Sequence, residues 1–491
     1  GVGKSELALE YAHRFASDYD GVAWLRAEDT SSLGLDYAAL AGPLGLEQSR
    51  ELAKTVAAVR AALSARGPFL LIFDNAEDPA ALEPFLPHGE GRHVLVTTHA
   101  RSFAGAQTTS IDTLTIEEAV TFLLERTHQD DEASARHVAA LLGELPLAFE
   151  QAAAYIEASA VTLADYARLL EAHGLDLVER GKDYRYAKTV GTTWSLALEA
   201  LRECPGAPEL LNLCAFLAPE AIHLGDLAEA CRRAPEDGAP AAPPVPKPLA
   251  GVFAGELRLH DARAALFRYS LASADGQAVK VHRLVQEVTR ERLDAEGKKT
   301  WLGAALRAVN AIFPEESDDF RNWDVCGRWL SHALAVTALD GAAGLDVAAT
   351  SRVLDRIATY LQARAEYGDA EPLFRRAPAL REAALGSSHP DVAESLNNLA
   401  ALLWQTNRLA EAKPLCRRAL AIYEAALGPN HPSVAIDLNN LAALLRDTSR
   451  LDEAEPLARR ALVICESSLG PEHPNTVKAR GNLQKTLERR R

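Results

Sequence analysis

Five residues at the start of the chain carry the pattern of a phosphate-binding loop. Gly1, Val2, Gly3, Lys4 and Ser5 match the second half of G-x-x-x-x-G-K-[ST], and a helical pattern follows them. In a complete loop, backbone N–H groups and the positive end of the helix bind the phosphates of a nucleotide. Lys4 is then expected to contact the β- and γ-phosphates, and the Ser5 hydroxyl to ligate Mg²⁺. The alternative interpretation is a glycine turn that caps an ordinary helix.

A second candidate site residue follows the apolar run 69–73. Asp74 stands at the end of this run, and Asn75 comes directly after it. Ligands bind at the carboxyl ends of parallel strands, and a carboxylate suits the hard Mg²⁺ ion. The sequence therefore predicts a magnesium site at Ser5 and Asp74. Because an amide cannot act as a general base, Asn75 leaves the base unassigned and favours slow hydrolysis. A solubilising Asp at a strand end is the alternative.

Short apolar runs alternate with helical patterns over residues 1–114. The candidate strands are residues 21–25, 69–73, 93–97 and 109–111, with helical patterns at about 31–45 and 49–66. This alternation predicts an α/β fold, with a parallel sheet covered by helices on both faces. The strand that should precede the loop would lie upstream of Gly1, so we expect the sheet of this chain to lack its first strand.

Further candidates for contact with a nucleotide follow the third apolar run and lie in the helical region after it. The third apolar run ends in Thr98, His99 and Arg101, where a side chain could detect the γ-phosphate, although Thr and Arg are also common at strand ends. From residue 115 to about 176 the pattern is helical. Pro146 starts one of these helices, where its missing N–H costs little, so spacing alone assigns it to helix initiation.

Residues 189–296 combine helical patterns with a hairpin signal. The Pro-rich stretch 234–250 predicts an exposed loop, and Asp275-Gly276 between short apolar runs predicts a β-hairpin. Helices followed by a hairpin predict a winged helix. His282 comes directly after the hairpin, and taken alone it is typical of a helix cap or a surface residue.

The last part of the chain repeats itself every 42 residues. His389-Pro390, His431-Pro432 and His473-Pro474 follow this period. Each unit predicts a pair of helices, and such pairs stack into an α-solenoid with a concave face. Asparagines recur on the first helix of each pair: Asn397, Asn398, Asn439, Asn440 and Asn482. Their amides can bind the backbone of a peptide or join neighbouring helices, and the sequence leaves both open. Pro378 is expected to kink or fray the first unit.

Composition limits the classes of partner. A formal net charge of −16 argues against bulk binding of nucleic acid, which needs a basic surface. No apolar run has the length of a membrane span. The six cysteines are scattered without a C-x-x-C pair, as in a reducing cytoplasm. We therefore expect a cytoplasmic protein.

In order and spacing, these motifs resemble those of the NB-ARC ATPases of the STAND class, which have bacterial members. The resemblance rests on Gly3-Lys4-Ser5, the 71–75 strand, Val96-Thr97-Thr98 and residues 144–148. It implies that Pro146 packs on adenine and that His282 contacts the β-phosphate of bound ADP. It also implies a γ-phosphate sensor, in doubt between His99 and Arg101. The repeats resemble tetratricopeptide repeats of the kinesin-light-chain type, whose first helices line the binding face.

The resemblance implies a nucleotide-controlled signalling switch. We expect five domains. They are a P-loop nucleotide-binding domain (1–114), a helical domain (115–176), a winged-helix domain (189–296), a helical linker (297–350) and a repeat solenoid (351–491). ATP or ADP with Mg²⁺ would control it, a protein or peptide would bind the concave face, and the ATP form would assemble into homo-oligomers. We expect the intact protein to be a slow ATPase, and a chain starting at Gly1 to be inactive and to bind nucleotide poorly. The alternative function is a repeat-based adaptor with a degenerate nucleotide domain.

Overall fold

The computed structural model describes most of the chain in two compact units. The described residues are 3–49, 51–76, 78–89, 92–98, 100, 106–109, 111, 114–142, 146–179, 196–219, 221–232 and 245–490. The first unit comprises the residues up to Ile312 together with Gly327–Val336. The second comprises Phe313–Cys326 and the residues from Thr337 onward. The predicted linker 297–350 is thus divided between the two units.

The first unit begins with a three-stranded parallel sheet in the order β1-β2-β3. Its strands and helices are α1 (Lys4–Phe15), β1 (Gly21–Arg26), α2 (Thr30–Ala39), α3 (Leu52–Ala65), β2 (Phe69–Ala76) and β3 (Arg92–Thr98). The predicted parallel sheet is therefore present. The prediction of a fourth strand at 109–111 was wrong for Thr109 and Ile111, which lie in no strand. Residue 110 is outside the described residues. Two hydroxyl-bearing residues and one Ile offer too little apolar surface to be buried as a strand.

The central strand β2 explains why the sheet is covered on both faces. Leu71 and Phe73 pack into a core with α2 and α3, whereas Leu70 and Ile72 pack against Ala8 of α1. These four consecutive side chains of β2 are all buried, as expected for a parallel strand between two helical layers. Asp74 follows this run and is carried to the carboxyl edge of the sheet.

Helices make up most of the rest of the first unit. They are α4 (Ile116–Thr127), α5 (Glu132–Leu142), α6 (Pro146–Ser159), α7 (Leu163–Glu179), α8 (Ala207–Cys214), α9 (Leu224–Arg232), α10 (Lys247–Phe253), α11 (Glu256–Arg268), α12 (Arg283–Arg292) and α13 (Ala295–Ile312). The predicted loop 234–250 was wrong at its end, because α10 begins at Lys247 and accepts Pro248 in its first turn. Residues 234–244 lie outside the described residues.

A short hairpin joins α11 to α12. Its strands are β4 (Ser273–Asp275) and β5 (Ala278–Lys280), which pair antiparallel as predicted, and Val279 also bridges to Ile222. Gln286 then fixes α12, since its buried amide donates to the carbonyls of Cys214 at 2.8 Å and Leu217 at 3.0 Å. These carbonyls lie at and just after the C-terminus of α8, where backbone acceptors lack partners within the helix.

The second unit consists of stacked helix pairs. After α14 (Trp323–Ala338) and α15 (Ala342–Leu345), the helices are α16 (Val347–Ala363), α17 (Tyr367–Leu385), α18 (Pro390–Gln405), α19 (Leu409–Leu427), α20 (Pro432–Asp447), α21 (Leu451–Leu469) and α22 (Pro474–Arg490). Residues Gly327–Val336 of α14 belong to the first unit. Among the described helices, none is both long and apolar enough to cross a membrane.

The turns between the pairs repeat in detail. His389, His431 and His473 each cap the next helix, with Nδ1 accepting from a backbone N–H at 3.2 Å. The predicted fraying at Pro378 was wrong, because α17 continues through this buried residue. Packing against α16 and α18 offsets the backbone hydrogen bond that the proline cannot make.

The glycine that follows each second helix should be needed for the full stability of the solenoid. Gly428 has φ 89° and ψ 156°, a conformation essentially restricted to glycine. A Cβ at this position would meet nothing within 4 Å, so the cost of Gly428→Ala is one of backbone conformation. We expect a loss of about 1–3 kcal/mol in the free energy of unfolding, measured by chemical denaturation. Gly368→Ala, in α17 and equally free of contacts, is the control and should be neutral or stabilising. Equal stability of the two variants would contradict the prediction.

Candidate functional site

The N-terminus of α1 is open to an anion. Gly3 caps the helix in the left-handed conformation, with φ 88°, and no side chain among the described residues caps this end. Lys4 is the first residue of the helix and Ser5 the second, while Gly1 and Val2 lie outside the described residues. The first backbone N–H groups of a helix and its dipole together favour a phosphate or carboxylate.

Ser5 and Asp74 lie together, as predicted. The Ser5 hydroxyl donates to Oδ1 of Asp74 at 2.7 Å, and the Thr97 hydroxyl donates to the same oxygen. Asp74 is 2% exposed, so these two donors compensate for much of the water that its carboxylate has lost. The hydroxyl and carboxylate oxygens also match the ligands that Mg²⁺ prefers. The donor set therefore fits a magnesium ion held by Ser5 and Asp74.

Asn75 extends this cluster toward the end of β1. Its φ of 58° places it in the left-handed region, which asparagine tolerates better than most residues. Its backbone N–H donates to the Thr97 hydroxyl at 2.8 Å, and its side-chain amide donates to Oε1 of Glu28 at 3.0 Å. The same Glu28 oxygen forms an ion pair with Arg283, the first residue of α12. Four hydrogen bonds and one ion pair thus connect Ser5 to the start of α12.

His282 caps α12 next to this ion pair. Its Nδ1 accepts from the backbone N–H of Leu284 at 3.2 Å. Burial lowers its pKa to about 4, and the nearby cations Lys280 and Arg283 act in the same direction. The imidazole is therefore neutral at physiological pH. Because Nδ1 is an acceptor, the neutral ring carries its proton on Nε2.

The other predicted nucleotide contacts are less closely grouped. Pro146 begins α6, as predicted, and α6 is tied to Ser270 by the Gln151 amide at 3.2 Å. In the part of the chain that the structure describes, no hydrogen bond or ion pair joins α6 to Ser5 or Asp74. The structure therefore fixes the start of α6 without bringing Pro146 into the cluster.

The sensor candidates lie at the end of β3. The hydroxyl of Thr98 donates to the backbone carbonyl of Ala76 at 2.6 Å and accepts from the N–H of Ala100 at 3.0 Å. It therefore holds the end of β3 to the end of β2. His99 and Arg101 are outside the described residues.

The asparagines of the second unit join consecutive first helices. Asn397 donates to Oδ1 of Asp437 at 2.7 Å, and Asn482 donates to the side-chain oxygen of Asn439 at 3.0 Å. Asn439 is 6% exposed. Asn398 and Asn440 are half-buried. The structure thus gives some of these amides partners between helices, and it leaves the remaining positions compatible with a peptide ligand.

Sequence reasoning missed Glu28, Thr97 and Arg283. For Glu28 and Thr97, the register of the parallel sheet could have indicated their place. The carboxyl ends of parallel strands meet at one edge of a sheet, and β1 pairs with β2 so that Arg26 lies opposite Asp74. Polar residues just after Arg26 and at the end of β3 must then lie near Asp74. No local pattern indicates Arg283, because its place depends on how α12 packs.

Two protein-family models match the chain. A model described as a tetratricopeptide repeat matches residues 350–391, 392–433 and 438–475. A model described as a domain of unknown function (DUF7779) matches residues 197–298, which include α8 to α12 and the hairpin. The first match confirms the predicted repeats. The second marks these residues as a domain without assigning an activity to it.

Two curated relatives are similar over different lengths. A nucleotide-binding leucine-rich repeat (NLR)-like protein of Hyaloscypha variabilis is 26% identical over 440 residues, which are 81% of this chain and 42% of that protein. The regulatory protein AfsR of Streptomyces coelicolor is 32% identical over 194 residues, which are 35% of this chain and 19% of AfsR. The chain thus spans less than half the length of the curated relatives it matches.

Solved structures show weaker likeness. A Signal Transduction ATPase with Numerous Domains (STAND) protein with a tetratricopeptide repeat sensor, from Pyrococcus horikoshii, is 14% identical with a TM-score of 0.36. That alignment covers 99% of this chain and 76% of the other. BtubC from P. vanneervenii is 19% identical with a TM-score of 0.30, over 40% of this chain and 79% of its own.

The predicted resemblance is confirmed by the identity to the NLR-like protein over most of the chain and by the matched repeats. Over most of its length the chain is similar to a nucleotide-binding leucine-rich repeat (NLR)-like protein, and it carries tetratricopeptide repeats in its C-terminal part.

Proposed function

We propose that the protein is a signal-transduction switch controlled by ADP and ATP. The observation that supports it most is the cluster at the carboxyl edge of the sheet, where Ser5, Asp74 and Thr97 meet at the N-terminus of α1. Its relatives include a protein named as nucleotide-binding and one named as regulatory. In this proposal the domains keep their predicted limits, with a P-loop domain, a helical domain, a winged helix, a helical linker and a repeat solenoid.

Each residue of the cluster has a part in the proposed nucleotide site. The N-terminus of α1 and Lys4 bind phosphate, whereas Ser5 and Asp74 hold Mg²⁺, which neutralises phosphate charge. Gly1 and Val2 contribute to the phosphate-binding loop, Pro146 packs on the adenine, and one of Thr98, His99 and Arg101 detects the γ-phosphate.

His282 acts as the latch of the ADP form. With Nδ1 engaged by Leu284, its Nε2–H is the donor that remains for the β-phosphate. Because the neutral ring has no ionic attraction to the phosphate, the strength of the latch depends on the geometry of its hydrogen bond. Release of this bond would free the domain of residues 197–298, here called the hairpin domain, which carries α12.

The repeats supply the input. Tetratricopeptide repeats are protein-interaction modules, and we propose that a protein or peptide binds the face lined by Asn398 and Asn440. Its binding favours the ATP-bound form only if it has a higher affinity for that form than for the ADP form. The ATP form then assembles into homo-oligomers, and the protein acts in the cytoplasm.

An adaptor with a degenerate nucleotide domain remains the second candidate. Asn75, in place of an acid after Asp74, is the observation that favours it. The two candidates differ in one property, because only the switch requires the protein to bind nucleotide.

Replacing Lys4 tests the proposal. Lys4→Ala removes a charged donor to phosphate, which is worth about 1.5–3 kcal/mol, so we expect ADP affinity to fall at least about ten-fold. Isothermal titration calorimetry on the intact protein measures this change. Lys54→Ala, at an exposed ion pair on α3, is the matched control and should leave the affinity unchanged. Absence of any ADP or ATP binding by the wild-type protein would exclude the switch and leave the adaptor.

The buried neutral His282 predicts a pH dependence of stability. Its pKa is about 4 in the folded state and about 6.5 in the unfolded chain, so only the unfolded chain takes up its proton between these values. The free energy of unfolding should therefore fall as pH is lowered from 6.5 to 4. His332 adds to the effect, because burial also lowers its pKa to about 4. Each histidine contributes at most about 1.4 kcal/mol per pH unit.

The variant His282→Asn keeps a good helix cap and should flatten this slope. Denaturant unfolding between pH 7 and pH 4.5 measures it. His260→Gln changes an exposed histidine of α11 and should keep the wild-type slope. An unchanged slope in His282→Asn would show that the folded state does not hold this imidazole neutral.

A further inference from the structure

Glu28 lies where the sheet edge lacks an acid. Position 75, next to the magnesium-binding Asp74, carries an amide that cannot accept a proton usefully. Strand β1 runs beside β2 with Arg26 opposite Asp74, so Glu28 follows two residues beyond that pair at the same edge. The Asn75 amide donates to Glu28 Oε1 at 3.0 Å, which holds the carboxylate beside the end of β2.

Three other acids near this edge, among the residues that the structure describes, have partners that do not reach α12. Asp74 accepts from the Ser5 and Thr97 hydroxyls. Asp78 caps the turn that follows β2, accepting from the N–H of Ala80 at 2.9 Å. Asp36 pairs with Arg26 at 2.7 Å. Glu28 is the acid whose contacts link the sheet edge to the hairpin domain.

Arg283 occupies the oxygen of Glu28 that Asn75 also binds. Its guanidinium forms an ion pair with Oε1, and it stands one residue after His282 at the start of α12. With two donors on Oε1, a water molecule cannot give its proton to that oxygen. The contact also depends on the position of α12, because Arg283 is carried by this helix.

We propose that Glu28 is the general base for nucleotide hydrolysis and that Arg283 blocks it in the conformation described. This inference rests on the proposed nucleotide switch. In the reaction, the oxygen of a water molecule attacks the γ-phosphorus of ATP and its proton passes to Glu28. The bond from the γ-phosphorus to the bridging oxygen breaks, and its electron pair leaves with ADP. The products are ADP and inorganic phosphate.

The arrangement couples hydrolysis to the switch. While α12 stays on the sheet edge, Arg283 competes with water for Oε1 of Glu28, and hydrolysis is slow. When α12 moves away, Asn75 still orients the carboxylate, and its Oε1 becomes accessible to water. Asn75 is therefore a positioning residue, and Arg283 a blocking residue that acts through Glu28.

The test uses Glu28→Gln in the intact protein. Its amide keeps the shape of the side chain but is no useful base, and general-base catalysis is worth about 10²–10⁴-fold. We expect the single-turnover rate of ATP hydrolysis to fall at least about 100-fold. Affinity for ADP, measured by calorimetry, should stay close to that of the wild type, and the purified variant should retain ATP. Glu132→Gln, at an exposed ion pair on α5, is the control.

Arg283→Ala tests the block. It should raise the hydrolysis rate several-fold, whereas Arg283→Lys should restore a rate near the wild-type one because it keeps the charge. Arg168→Ala, at an exposed pair on α7, is the control. In the double variant Glu28→Gln with Arg283→Ala, the rate should fall to that of Glu28→Gln alone.

The outcomes separate this inference from the proposed function. If the wild type binds nucleotide and Glu28→Gln hydrolyses ATP at the wild-type rate, Glu28 is not the base, and the switch stands. If Arg283→Ala does not raise the rate, the block is wrong. If Glu28→Gln fails to fold by circular dichroism, Glu28→Ala replaces it, and a rate equal to that of the wild type would overturn the inference. Absence of nucleotide binding by the wild type would instead overturn the proposed function.

Discussion

The buried carboxylate of Asp74 is the constraint on which the rest of the site depends. A charge that is 2% exposed must be compensated, and the Ser5 and Thr97 hydroxyls both donate to one of its oxygens. This requirement joins the start of α1 to the ends of β2 and β3. The helix N-terminus and the acid consequently lie at one edge of the sheet, where the chemistry of both can act on one ligand.

The same edge connects to α12 through a second set of hydrogen bonds. Thr97 binds the backbone of Asn75, whose amide binds Glu28, and Glu28 pairs with Arg283. Residues proposed to bind nucleotide and residues proposed to latch the hairpin domain are thus in one network. A change at the phosphates can reach α12 through contacts that already exist, provided that the network has different arrangements in the two states.

The sequence was sufficient for features set by local patterns. The apolar run of β2 placed Asp74 at the sheet edge, and the loop pattern Gly3-Lys4-Ser5 predicted that Ser5 would share a magnesium ion with it. The 42-residue period predicted the helix pairs of the second unit. Contacts made by tertiary packing were not predictable. Arg283 meets Glu28 only because Gln286 and the hairpin fix α12, and the left-handed backbone of Asn75 turns its amide toward β1. Pro378, which a local rule places at a helix break, is tolerated because its helix is packed on both sides.

We propose that the bound nucleotide controls whether α12 stays on the sheet edge. Hydrogen–deuterium exchange of the intact protein, compared with ADP and with a non-hydrolysable ATP analogue, measures it at the amides of Arg283–Arg292. We expect slow exchange with ADP and clearly faster exchange with the analogue, while the β2 amides remain protected in both. Equal exchange of α12 in the two complexes, with both nucleotides bound, would contradict it.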